Sequence, residues 1–252
     1  MRAGHFVEGL SNEARFLTAL KEIEHRGAPE ANWMLVEGDP GYGKSNLLMR
    51  HAIRNRDARI AMVRAKAGWT PKWALTDLAD ALNVQRAHST QALEDAIIAD
   101  LMEKQSRPGF CVIVDEIDHA ARNVRVLETL RDLTDTAECV LIAGGMKGVS
   151  SKLKAHRQIH SRVDQFVEFH PATIKDVRLM CDALAEIKIA DDLVAAIQQR
   201  TQGRLRLVMG AIARVEAWAK RNHNGRAPLT LAEYGGRPLI SDDRTFLAVV
   251  KG

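Results

Sequence analysis

Apolar residues recur at helical spacing in Phe16, Leu17, Leu20 and Ile23, which predicts a first helix over Asn12 to His25, stopped by Gly27-Ala28-Pro29. Trp33-Met34-Leu35-Val36 is a short, wholly apolar run that breaks at Gly38, and helical spacing resumes from Lys44 through Ile53. This stretch reads as strand, Gly loop, helix. Ile60 to Val63 predicts a second strand, Gly68-Trp69-Thr70-Pro71 a loop, and Ala74 to Leu82 a helix. Thr90 to Lys104 predicts another helix, with Leu93, Ile97, Ile98 and Leu101 on one face. Phe110 to Val114 is a fully apolar strand ending in Asp115-Glu116, followed by an amphipathic helix over Val124 to Leu133 and a strand over Cys139 to Ala143.

Strands alternating with helices imply a parallel sheet covered on both faces, in which ligands gather at the carboxyl ends of the strands. After Phe169-His170-Pro171 the strand pattern stops, and Ile174 to Glu186, Ala190 to Gln199 and Arg204 to Lys220 read as helices. The expected organisation is an α/β domain over residues 1–170, an all-helical unit over 171–222 and a tail over 223–252, whose one clear apolar run is Phe246 to Val250. No internal repeat or low-complexity tract interrupts it.

Composition adds boundaries to this picture. In a chain of 252 residues, 46% hydrophobic and 27% charged residues are ordinary for a globular protein and suggest neither disorder nor a membrane span. Arg2, His5 and Glu8 lie near the start with no apolar core between them, so no secretory signal is expected and the expected compartment is the cytoplasm. Cys111, Cys139 and Cys181 are odd in number and far apart, which argues against a disulfide framework or a zinc site and for buried thiols. A net charge of +4 and a pI near 9.0 tilt the surface toward polyanions.

Chemistry concentrates in two places. Gly38-Asp39-Pro40-Gly41-Tyr42-Gly43-Lys44-Ser45 fits G-x-x-x-x-G-K-S/T, between an apolar strand and a helix, with Asn46 following in the same turn. In such a loop glycines let backbone N–H groups turn inward around a β-phosphate, and the helix start points its positive dipole end at the same anion. Lys44 would reach the β- and γ-phosphates of ATP and the Ser45 hydroxyl would bind Mg2+. Cys111-Val112-Ile113-Val114-Asp115-Glu116 is the matching acidic strand: Asp115 for the Mg2+ shell and Glu116 as general base on the attacking water. The plainer alternatives are a Gly-rich turn and an acidic helix cap. Asp118 and His119 read as solvated residues at a helix start.

The pair GDPGYGKS and VIVDEID, followed by helices, resembles AAA+ ATPases of the initiator and transposition-regulator branch, and most of all the B transposition proteins of Mu-like phages and the C subunits of Tn7-like elements. The resemblance covers about residues 5 to 220 and implies a P-loop parallel sheet sandwiched by helices, with a small helical lid behind it. It adds Phe6 and Val7 as a lead-in to the nucleotide site. It implies that Arg162 is the arginine finger inserted into a neighbouring subunit and that Arg206 is the second sensor of the lid, with Arg157 and Arg204 as competitors. Where the family places Asn, Thr or Ser as first sensor, this chain has Gly144-Gly145, so hydrolysis is expected to be slow or differently arranged.

The same resemblance places DNA contacts on Arg64, Lys66, Thr70 and Lys72, in the loop and helix start after the second strand; Trp69 and Trp73 in this stretch read equally as core. Lys147, Lys152 and Lys154 form a second basic stretch. Such cations neutralise phosphates without reading sequence. The expected function is an ATPase that assembles head to tail on double-stranded DNA, as a helical filament, and delivers it to a partner transposase. The alternative within the class is a helicase loader or replication initiator. A small-molecule phosphotransferase and a nucleotide-binding interaction module stay as readings from other classes.

Overall fold

The computed structural model describes residues 7–55, 58–107, 109–223 and 227–241; Phe6 and the run Phe246 to Val250 lie outside the described residues. Five strands form one parallel sheet: β1 (Trp33–Gly38), β2 (Ala61–Arg64), β3 (Cys111–Asp115), β4 (Val140–Met146) and β5 (Val163–Phe169), in the order β2-β3-β4-β1-β5. Helices α1 (Ser11–Glu24), α2 (Lys44–Arg54), α3 (Pro71–Leu82), α4 (Thr90–Lys104), α5 (Val124–Thr136), α6 (Val149–Lys154) and α7 (Arg157–His160) alternate with these strands. The expected α/β class with a parallel sheet flanked by helices is the fold observed.

The uniform apolarity of the central strands follows from burial on both faces. All five residues of β3 and the first four of β1 are buried. On one face Trp33, Leu35, Val112 and Val114 join Ile97, Leu101, Leu127 and Leu130 of the helices in a continuous core. Removing such surface from water is the main stabilising term, at about 25 cal/mol per Å2 of apolar area. Cys111, Cys139 and Cys181 are buried thiols; burial raises all three, Cys139 and Cys181 to about 12.

β4 lies between β1 and β3, so the carboxyl ends of three neighbouring strands stand side by side at one edge of the sheet. The short helices α6 and α7 add to the sequence expectation, and two strands depart from it. β4 continues through Gly144-Gly145 to Met146 instead of ending at Ala143. β5 was not foreseen: Asp164 and Glu168 interrupt its apolar pattern, because this edge strand pairs on one side only and exposes alternate residues.

Contacts divide the described residues into two units, one built from 15–39 and 44–169 and the other from 7–14, 40–43 and 170 onward. The second contains α8 (Ile174–Leu184), α9 (Asp191–Thr201), α10 (Leu205–Asn222) and α11 (Leu231–Tyr234) around Val177, Leu193, Ile197, Val208 and Ile212. The buried carboxylate of Asp176 organises this unit. Its Oδ1 accepts from Ser11 N at 2.8 Å and Ser11 Oγ at 3.0 Å, and its Oδ2 accepts from Thr173 N and Oγ, each at 2.8 Å. Thr173 Oγ in turn accepts from Asp176 N, completing a capping box at the start of α8. Val7 packs against the apolar core of the same unit.

Candidate functional site

The loop after β1 turns through Gly41 at φ 91° and Gly43 at φ 92°, a backbone region that side chains disfavour. This conformation carries the chain from Gly38 at the strand end to Lys44 at the first position of α2, with Ser45 and Asn46 in the first turn. Asp39, Pro40 and Tyr42 complete the turn. Lys44 Nζ donates to Gly38 O at 2.6 Å and Asp39 O at 3.1 Å, so the ammonium is held over the loop. Burial lowers the Lys44 pKa, and the negative charges of Asp115, Asp118 and Asp39 oppose that shift.

Asp115 ends β3 and is 2% exposed. Its Oδ1 accepts from Glu116 N at 3.0 Å, whereas its buried Oδ2 has no hydrogen-bond partner. A carboxylate oxygen left without a hydrogen-bond donor in the interior is costly, and a cation at this position offsets that cost. Glu116 has φ 56° and ψ 37°, the left-handed region, which turns the chain sharply out of the strand into the 3-10 turn Ile117–His119. A non-glycine residue held there is a strained position of the kind found at functional sites.

Arg64, at the end of β2 and in register with Asp115, reaches both acids: Nη2 is 3.7 Å from Asp115 Oδ2 and Nε is 3.9 Å from Glu116 Oε1. His119 Nε2 stands 3.6 Å from Glu116 Oε2. Asp118, read from the sequence as a solvated residue, accepts from Met146 N through Oδ1 at 3.0 Å. Neither link was evident in the chain alone. The signal for Arg64 was its equal spacing from an apolar strand: Arg64 follows Val63 as Asp115 follows Val114, and parallel pairing sets the two side by side.

The other site residues are distributed as follows. Lys66 Nζ donates to both oxygens of Asp77 at 3.1 and 2.8 Å and lies 4.9 Å from the Trp73 ring centroid. Trp69 is buried and donates Nε1–H to Asp77 Oδ2 at 2.8 Å, so it serves the core. Thr70 caps α3, and Lys72 is exposed in the first turn of that helix. Lys147 pairs with Glu168 at 3.2 Å; Lys152 and Lys154 are exposed on α6. Arg162 Nε donates to Asp135 Oδ2 at 2.8 Å, while Arg157 is exposed at the start of α7. Arg204 precedes α10 and Arg206 lies in its first turn, both exposed.

The residues present suit a magnesium nucleotide. The Lys44 ammonium is a cation suited to phosphate, and the Ser45 hydroxyl and the unbonded Asp115 oxygen are hard oxygen donors of the kind Mg2+ takes.

Residues 29–153 match the family model described as an AAA domain. A search among curated proteins finds no match. The fold is similar to that of the Aeropyrum pernix Orc1 protein solved in complex with DNA, at 20% identity, TM-score 0.57, covering 87% of this chain and 62% of that one. It is likewise similar to Cdc6p of Pyrobaculum aerophilum, at 17% identity and TM-score 0.60, covering 88% and 65%. AMPPCP-bound DnaA of Aquifex aeolicus is a third, at 14% identity and TM-score 0.58, covering 86% and 64%. The chain thus spans a little under two thirds of the length of each of these proteins. Among the described residues, no helix is long and apolar enough to cross a membrane.

Proposed function

We propose that this protein is a Mg2+-dependent ATPase of the replication-initiator or helicase-loader type, which uses its nucleotide state to control binding to double-stranded DNA. The observation that carries the ATPase reading is the presence of Lys44 after β1 and of a buried, unbonded oxygen on Asp115 at the end of β3, the two strands that flank β4 in one sheet.

In this reading Lys44 and the loop amides bind the phosphates, and Ser45 and Asp115 hold the metal. Bound Mg2+ would neutralise phosphate charge and help orient the nucleotide. Glu116 would take a proton from the attacking water, and its exposed carboxylate, now shared between Arg64 and His119, is free to turn toward it. Gly144 leaves the end of β4 without a polar side chain, which supports slow turnover and a switch-like use of ATP.

The DNA reading draws support from the likeness to an Orc1 protein bound to DNA and from exposed cations. Lys72 and Lys152 are exposed and form no ion pair among the described residues, whereas Arg64, Lys66 and Lys147 are already engaged. Head-to-tail assembly with an arginine finger in trans is part of the same proposal. Delivery of target DNA to a transposase rests on sequence resemblance alone, and none of the three solved structures above is a transposition protein.

Binding of a fluorescent ATP analogue to wild type and to Lys44→Ala tests the ATPase reading. The expected result is Mg2+-dependent binding that Lys44→Ala abolishes; equal affinity for both proteins would overturn it.

A further inference from the structure

The end of β4 offers Asp115 no polar neighbour. A Cβ on Gly144 would stand 2.6 Å from Leu48 Cδ1 and 3.2 Å from Asp115 Oδ1, and one on Gly145 would stand 2.9 Å from Val149 Cγ1. No side chain fits at either position without moving its surroundings. The chain brings a carboxylate to this edge by another route. After Glu116 the 3-10 turn Ile117–His119 folds back, and Asp118 Oδ1 accepts from Met146 N at 3.0 Å. Met146 is the register partner of Gly38, whose carbonyl accepts from Lys44 Nζ at 2.6 Å and from Lys147 N at 3.2 Å. Asp118 is therefore fixed beside the strand end that holds the phosphate-loop lysine.

We propose that Asp118 is a positioning residue for the magnesium that accompanies nucleotide, anchored through Oδ1 by the Met146 amide and taking the metal's hydration shell through Oδ2. The inference rests on the ATPase reading above and extends it to Asp118, the last residue of VIVDEID, which the sequence reading left as solvated. Two further observations support it. Asp115 Oδ2 is buried and makes no hydrogen bond, with Arg64 Nη2 3.7 Å away, so the neighbouring strand end presents a carboxylate oxygen open to a metal. The hydrogen bond from Met146 N to Asp118 Oδ1, on the strand end paired with Gly38, sets Asp118 at the same edge of the sheet. Among the described residues no group of three or more His, Cys, Asp or Glu side chains is placed to hold a metal ion unaided. A contribution through water, with phosphates completing the shell, matches the preference of Mg2+ for keeping several waters.

Asp118→Asn separates this role from a structural one, because the amide oxygen keeps the hydrogen bond from Met146 and only the charge is lost. Mg2+ is titrated against binding of a fluorescent ATP analogue by the full chain, with a parallel measurement in EDTA. Loss of an outer partner of a metal typically costs about 10- to 100-fold in metal affinity. The half-saturating Mg2+ concentration for Asp118→Asn should rise by at least about tenfold, while affinity in EDTA stays equal or tightens. Asp118→Glu, which keeps the charge, should shift less. A wild-type Mg2+ titration for Asp118→Asn, or identical shifts for Asn and Glu, would overturn the inference. Lys44→Ala run alongside distinguishes the two levels: if it binds Mg2+-ATP as wild type does, the ATPase reading itself fails.

Discussion

Arg64 Nη2 lies 3.7 Å from Asp115 Oδ2, the buried oxygen that has no hydrogen-bond donor. A cation of the protein thus stands near the oxygen that a nucleotide-bound cation would take, and the same guanidinium reaches Glu116. Because the Arg64 side chain is 61% exposed, solvent screens the pair and its strength is modest. Arg64→Ala should lower the Mg2+ concentration for half-maximal nucleotide binding by about two- to fivefold, the equivalent of an exposed ion pair. It should also raise basal ATP turnover by releasing Glu116. An unchanged Mg2+ titration would show that Arg64 does not compete at this oxygen.

Arg162 and Arg157 separate by their surroundings. The Arg162 guanidinium is bound to Asp135 within its own chain, half-buried on both sides, whereas Arg157 is exposed and forms no ion pair among the described residues. Arg162→Ala should therefore act first on stability, by about 1.5–3 kcal/mol for a hydrogen bond to a charged group, read in urea unfolding. Arg157→Ala should leave stability and nucleotide affinity intact and reduce the rise of specific ATPase activity with protein concentration. The reverse pattern would return the finger role to Arg162.

Gly144 tests whether a polar first sensor can be restored. A Cβ at this position would crowd Leu48 and Asp115, so Gly144→Ser should destabilise the protein by about 1–3 kcal/mol, as overpacking does. Its turnover should not exceed that of wild type. A more active and equally stable variant would contradict the packing argument.

His51 is buried on α2, edge-on to Phe16 with ring centroids 5.3 Å apart, and burial lowers its pKa below the ordinary value of 6.5. The unfolded chain then binds a proton more readily than the folded one between about pH 6.5 and the lower folded-state value, so stability falls as pH falls through that window. His51→Gln should flatten this part of the profile, measured as the difference in melting temperature between about pH 7.5 and about pH 5.5. An identical slope in both proteins would assign the acid sensitivity to other groups.

The sheet and the two phosphate motifs were legible because their signals are local. An apolar run, a Gly loop and a helix pattern sit next to each other from Trp33 to Arg54, and Cys111 to Glu116 ends a buried strand in two carboxylates. What stayed hidden depends on pairing across the sheet. Arg64 read as a free cation for DNA because only the β2–β3 register shows that it stands beside Asp115. Lys66 read as a DNA-contacting cation, but Asp77, midway along α3, draws it into an ion pair and also holds the indole of Trp69, which read equally as core. Asp118 looked solvated because the backbone reversal at Glu116, which turns it toward Met146, requires a left-handed glutamate that no spacing rule announces. β5 was missed for a related reason: an edge strand buries few positions, and its charged residues break the pattern.

The central claim is that nucleotide state controls binding to double-stranded DNA. Fluorescence anisotropy of a random-sequence duplex with ATP, with ADP and without nucleotide, at low and at physiological salt, tests it most directly. The account predicts tight binding with Mg2+-ATP that weakens with ADP and falls steeply with salt, as phosphate neutralisation requires. Absence of binding in every nucleotide state, or binding indifferent to nucleotide, would contradict it.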